Sequence, residues 1–70
     1  MKLNRYMVVL FQQIVDNNSV AKILEAISPE VALQRALRVD SSVPIEYTGT
    51  LDGIPFYKCQ DEEHIVYKYP

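Results

Sequence analysis

Seventy residues make one domain, 1–70, with a thin core, since a chain of this size buries only about 60% of the surface its unfolded form exposes. A hydrophobic content of 49%, with 2 Gly and 4 Pro, is that of a folding chain and not of a disordered one. The net charge of −2 and pI near 5.2 give neither the basic footprint of a general nucleic-acid binder nor the acidity of a DNA mimic.

A single Cys excludes an internal disulfide, so a partner subunit or target is the expected supplement to so small a core. Lys2 and Arg5 precede an apolar run, Met7 to Phe11, that is too short for a signal-peptide core, and no stretch is long enough to span a membrane. A reducing, cytoplasmic location is expected, and the free Cys59 suits it.

From the N-terminus, Tyr6 to Val15 is rich in β-branched and aromatic residues and predicts a strand. Asp16, Asn17, Asn18 and Ser19 supply a turn, and Val20 to Ile27 predicts the returning strand of a hairpin. The same Val20, Ile23, Leu24 and Ile27 also fit helical spacing, and a helix there would make residues 20–39 a helix-turn-helix. The strand is preferred because Pro29 biases Ser28 away from α geometry and the paired asparagines suit a turn between strands.

Ser28 to Val39 predicts the one helix. Ser28 is its N-cap, Pro29 occupies the first helical position and Glu30 meets the positive end of the dipole. Ala32, Leu33, Ala36, Leu37 and Val39 share a buried arc; Glu30, Gln34, Arg35 and Arg38 share the exposed one, with Val31 among them. Asp40, Ser41 and Ser42 end it, and Pro44 prevents its resumption.

Asp52 and Gly53 signal a two-residue hairpin, which sets Leu51 against Ile54. Carried outward, that register places Ile45, Tyr47, Gly49 and Leu51 with Ile54, Phe56 and Lys58 on a core face, and Glu46, Thr48 and Thr50 with Pro55, Tyr57 and Cys59 on an outer face. A polar tip of Gln60, Asp61, Glu62 and Glu63 then turns the chain; as a two- or four-residue loop it is expected to set Cys59 against His64, Tyr57 against Val66 and Phe56 against Tyr67, while Ile65, Tyr67 and Tyr69 join the core side. The expected fold is α+β, a small antiparallel sheet with one helix packed on a face, in the order ββαβββ.

Glu46, Cys59 and His64 fall in one expected outer row, the residue types of a nucleophile with base and orienter or of a metal site. With one His, one Cys and no oxyanion donors, neither chemistry is expected, and no cofactor or metal is implied. The tyrosines beside Lys58 and Lys68 suggest base stacking, but the glycine and aromatic pattern of an RNA-recognition sheet is absent. The remaining candidate is a partner-binding surface formed by Val31, Gln34, Arg35 and Arg38 on the helix with Tyr57 on the outer sheet face.

The run Leu24 to Leu37, with Glu25, Ala26, Ile27 and Ser28 entering a helix spaced by Ala32 and Ala36, resembles a strand-to-helix pattern of small bacterial and phage domains. The whole order, including the closing hairpins through Ile54 to Lys58, resembles that of small phage-encoded anti-CRISPR proteins. That resemblance is one of topology and implies non-catalytic binding to a CRISPR effector complex that blocks its encounter with target DNA. With too little chain for an ordered pocket and no reactive constellation, the expected function, by elimination, is a non-enzymatic protein that binds, and inhibits, a larger protein or nucleoprotein complex. A nucleic-acid-binding regulator is the alternative. An enzyme or metal protein built on Cys59 and His64 is the third, and a homodimer is compatible with all three, through unpaired edges at the first and last strands.

Overall fold

The computed structural model describes residues 2–18 and 20–70. The elements in chain order are β1 (Asn4–Leu10), α1 (Phe11–Val15), β2 (Lys22–Ala26), α2 (Pro29–Leu37), β3 (Glu46–Leu51), β4 (Ile54–Cys59) and β5 (Glu62–Lys68). All pairings are antiparallel, and the five strands lie in the order β2-β1-β5-β4-β3. The α+β class expected from the sequence is the class observed. The edges are β2 and β3, however, because the last strand inserts beside the first and leaves both of them interior.

Two segments differ from expectation. The first strand stops at Leu10, and Phe11–Val15 closes a helical turn in which Asp16 N donates to Gln12 O at 3.0 Å and Gln12 Nε2 to Asp16 Oδ1 at 3.1 Å. Phe11, Ile14 and Val15 are helically spaced apolar residues, and the two glutamines between them favour helix over strand. Residues 22–26 form a strand, which removes the helix-turn-helix alternative. Of the expected turn residues, Asn17 takes left-handed geometry at φ 57°, and Ser19 lies outside the described residues.

The N-terminus of α2 follows its sequence signals. Ser28 Oγ accepts from Val31 N at 3.3 Å, and Pro29 opens the helix. The helix ends two residues earlier than its apolar arc suggests: Arg38 adopts φ 57°, ψ 40°, Arg38 N donates to Arg35 O and Val39 N to Gln34 O. That pair of bonds is a Schellman closure with Arg38 in the position glycine usually takes. Lys22 Nζ, reaching across from β2, donates to Ala36 O at 2.7 Å and satisfies one further terminal carbonyl.

Helix α2 packs on β2, β1 and β5. Beneath it Ala32, Leu33 and Ala36 meet Tyr6, Val8, Ala26 and Val66, with Tyr57 and Cys59 completing the cluster from β4. Val43 and Ile45, on the segment leaving the helix, pack against the same cluster.

Both closing hairpins turn on two residues with positive φ, Asp52–Gly53 and Gln60–Asp61. The first hairpin keeps its expected register, with Leu51 opposite Ile54 and Gly49 opposite Phe56. A bulge at Thr48 then shifts the pairing, so that Tyr47 meets Tyr57 and Glu46 meets Lys58. In the second, Cys59 pairs with Glu62 and Tyr57 with His64, two residues tighter than a four-residue tip would give.

The two sheet faces are consequently the reverse of expectation. Tyr57, Cys59 and His64, expected outward, lie on the side of the sheet that α2 packs against and are buried, while Phe56, Tyr67 and Lys58, expected inward, lie on the opposite face. The alternation was right and its sign was not. Tyr57 and Cys59 alternate with Phe56 and Lys58 in β4, and only the placement of α2 decides which pair is covered.

Candidate interaction face

The uncovered sheet face is apolar through its middle. On β1 and β5, Val9 and Ile65 are opposite each other and nearly buried, Phe56 of β4 lies beside Ile65, and Met7 and Tyr67 continue the rows. Phe11, carried over the sheet by α1, sets its ring edge-on to Phe56 at 5.4 Å between centroids and 73° between planes. Ile23 of β2 at 60% exposed and Leu51 of β3 at 66% extend the apolar surface to both edges. At the other end Tyr67 and Tyr69 pack edge-on at 5.9 Å.

A hollow of about 390 Å³ opens on this face between Phe11, Phe56 and Leu51, floored by the bulge at Thr48 and Gly49 and bounded by Glu63. Gly49, at φ 141°, holds a conformation that L side chains rarely adopt, and nothing stands within 4 Å of where its Cβ would be. Thr48 Oγ1 lies 3.2 Å from both Phe56 O and Glu63 Oε2, which ties the floor to β4 and β5.

Charge is confined to two places on the face. Arg5 opposes Glu25 at the β2 side, and Glu46, Lys58 and Glu63 form a cross-strand row at the β3 side. Three carboxylates thus face two cations. A complementary surface would be apolar at its centre and basic where it meets Glu46 and Glu63.

The helix residues singled out from sequence are brought together. Val31, Gln34, Arg35 and Arg38 line one shallow hollow of about 270 Å³ with Val39 and Ser41. Two of them also have structural work: Gln34 Nε2 donates to Ser41 O and Val43 O, each at 3.2 Å, and Arg35 Nη1 donates to Glu25 O at 3.0 Å. Val31 packs against the core cluster. Tyr57 does not join them. It is 7% exposed, its ring tilted against Tyr47 at 5.3 Å, and its hydroxyl pKa is raised by burial and then by the Glu30 carboxylate.

The expected row of Glu46, Cys59 and His64 is not formed. The bulge sends Glu46 to the uncovered face, opposite Lys58, while Cys59 and His64 lie on the helix side. Burial, and then Glu62, pushes the Cys59 thiol up, which keeps it protonated and a poor nucleophile. Among the described residues no group of three or more His, Cys, Asp or Glu could hold a metal ion. No described helix is long and apolar enough to cross a membrane.

Sequence reasoning missed Phe11, Ile23 and Leu51 as members of one surface. The helical spacing of Phe11 with Ile14 and Val15 was the available signal for the first; the other two depend on which face α2 takes. No family model, no curated protein and no solved structure matches the chain.

Proposed function

We propose that this chain is a non-enzymatic interaction module that docks onto a larger protein, or the protein part of a nucleoprotein complex, through the uncovered face of its sheet, and inhibits it by occupying a working surface. One observation carries the reading: Phe11, Ile23, Leu51 and Tyr67 stand exposed on a single face whose centre, Val9 and Ile65, is already nearly dry. A contiguous apolar face on so small a domain marks an interaction surface. The partner it fits is apolar opposite Phe56 and carries Lys or Arg opposite Glu46 and Glu63. The topological resemblance to anti-CRISPR proteins agrees with such a role. The helix strip at Arg35 and Arg38 is a secondary contact in this reading.

The aromatic rings of Phe56 and Tyr67 beside Lys58 and Arg5 favour a second reading, a stacking platform for single-stranded nucleic acid. Glu25, Glu46 and Glu63 on the same face weigh against it, because each repels phosphate.

The test is capture from host lysate with and without nuclease, comparing the wild type with Ile23→Lys/Leu51→Lys and with Arg35→Glu/Arg38→Glu. A stoichiometric protein that survives nuclease and is lost only with the first double variant supports docking through the sheet. Loss only with the second moves the site to the helix. Retention that vanishes with nuclease selects nucleic acid, and a wild-type dimer that Ile23→Lys/Leu51→Lys converts to monomer assigns the face to self-association.

A further inference from the structure

On the opposite side of the sheet a second cavity, about 180 Å³, lies where the C-terminal end of α2 meets β1, β2 and β5. Its walls are Val8, Leu10, Val20 and Leu37. His64, 3% exposed, lines it. The ring is oriented from behind: Nδ1 lies 3.1 Å from Glu62 O, and since a carbonyl only accepts, Nδ1 carries the proton and Nε2 presents a lone pair. Nε2 has no partner among the described residues, yet no fully buried side-chain nitrogen or oxygen goes unpaired. The nitrogen therefore reaches open space, and the cavity it lines is that space.

Three more residues with polar side chains line the same cavity: Lys22, whose Nζ spends one proton on Ala36 O and has two left, Gln13 with an amide, and Glu62 with a carboxylate. Burial keeps the imidazole neutral at pH 7, so the set consists of an acceptor at Nε2, a carboxylate acceptor and two donor groups set in apolar walls. A hydroxyl group answers both needs, since it donates to Nε2 while its oxygen accepts from an ammonium or an amide. The volume is close to that of the roughly 150 Å³ apolar cavity known to take a benzene ring.

We infer that this cavity is a binding site for a small one-ring hydroxylated molecule of the phenol type, its hydroxyl on His64 Nε2 and its ring between Val8, Leu10 and Leu37. The site is independent of the sheet face on the other side. A ligand here would touch β1, β2, β5 and the end of α2 together and would stabilise the folded chain by mass action.

The experiment is a titration of the full ¹⁵N-labelled chain with phenol, read at the His64 ring nitrogens and the backbone amides, with benzene as the arm lacking a hydroxyl. Saturable movement of the Nε2 resonance at millimolar phenol is expected, with benzene about tenfold weaker, the worth of one hydrogen bond. Val20→Phe, at a position 64% exposed on the cavity rim, should block binding while leaving the fold intact. Lys22→Met should weaken phenol several-fold and benzene not at all. An unmoved Nε2 resonance, equal affinity for benzene and phenol, or binding that survives Val20→Phe overturns the assignment.

Discussion

Leu33 sits at the centre of the one side of this sheet that the chain covers for itself, which makes Leu33→Ala the most informative perturbation of the fold. Its side chain is fully buried among Tyr6, Val8, Ala26 and Val66. Removing three carbons forfeits about 2.4 kcal/mol of transfer free energy at about 0.8 kcal/mol per methylene. The cavity left behind adds to this, and buried Leu→Ala changes together cost about 3–5 kcal/mol. Collapse into the hole is restricted here, because its helical neighbours are Ala32 and Ala36 and the helix is held at both ends by Ser28 Oγ and Lys22 Nζ. The expected cost is therefore about 4 kcal/mol. A chain of 70 residues carries about 4–10 kcal/mol in total at about 0.05–0.15 kcal/mol per residue, so the variant is at the edge of unfolding. Urea unfolding followed by far-UV circular dichroism should show the midpoint falling by roughly 4 M, for a slope of about 1 kcal/mol/M. Ile23→Ala on the other face, 60% exposed, should stay within about 0.5 kcal/mol of wild type. A Leu33→Ala cost below about 1 kcal/mol, or an equal cost at Ile23, would refute the assignment of the two faces.

Three further outcomes follow from single groups. His64 has its pKa lowered by burial, against opposing effects of its bond to Glu62 O and of the Glu62 and Glu63 carboxylates. The unfolded chain therefore takes up the proton first, so the contribution of His64 is flat above about pH 6.5 and falls below it, by up to about 1.4 kcal/mol per pH unit. Urea midpoints between neutral and mildly acid pH should show this slope in the wild type and a shallower one in His64→Gln; parallel profiles would contradict it. The Cys59 thiol, 2% exposed and with its pKa raised, should react with a disulfide reagent only as fast as the chain opens, and rapid labelling of the native protein would mean that β4 is not packed as described. Arg38→Gly, at φ 57° in the helix closure, should stabilise by about 0.5–1 kcal/mol and raise Tm by roughly 4 °C; a lower Tm would mean that the arginine side chain contributes more than its backbone strain costs.

What was legible in the sequence was local. The Ser28 cap, the Asp52–Gly53 turn and the β-rich hairpins need only nearest neighbours in the chain, and the structure shows each of them. The strand order and the signs of the faces were not legible. Whether Tyr57 or Phe56 is covered depends on where a helix that ends at Leu37 comes to rest, and alternation alone is indifferent to that choice. The bulge at Thr48 had a faint signal in the glycine that follows it, yet it moved Glu46 to the other face and dissolved the row with Cys59 and His64. The candidate site was legible in part: Val31, Gln34, Arg35 and Arg38 do share a hollow, whereas Tyr57 belongs to the core.

The geometry of coverage explains why a surface is left over at all. Five strands at about 4.8 Å spacing span about 19 Å from edge to edge, whereas the 9 residues of α2 extend only about 14 Å. One such helix lies over three strands, and Val43 and Ile45 on the segment that follows it pack against the same core cluster, to which β4 contributes Tyr57 and Cys59. Among the described residues no second helix of that length lies over the other face, where α1 sets Phe11 against Phe56. A sequence under no demand on that face would fill it with polar residues, as half-solvated antiparallel sheets usually do. Here it carries Met7, Val9, Phe56, Ile65 and Tyr67 instead, and keeps its charges at the two ends. Val9 and Ile65 are buried at its centre, whereas Ile23, Leu51 and Tyr67 around them stay exposed, and it is these exposed apolar residues that the proposed docking surface accounts for.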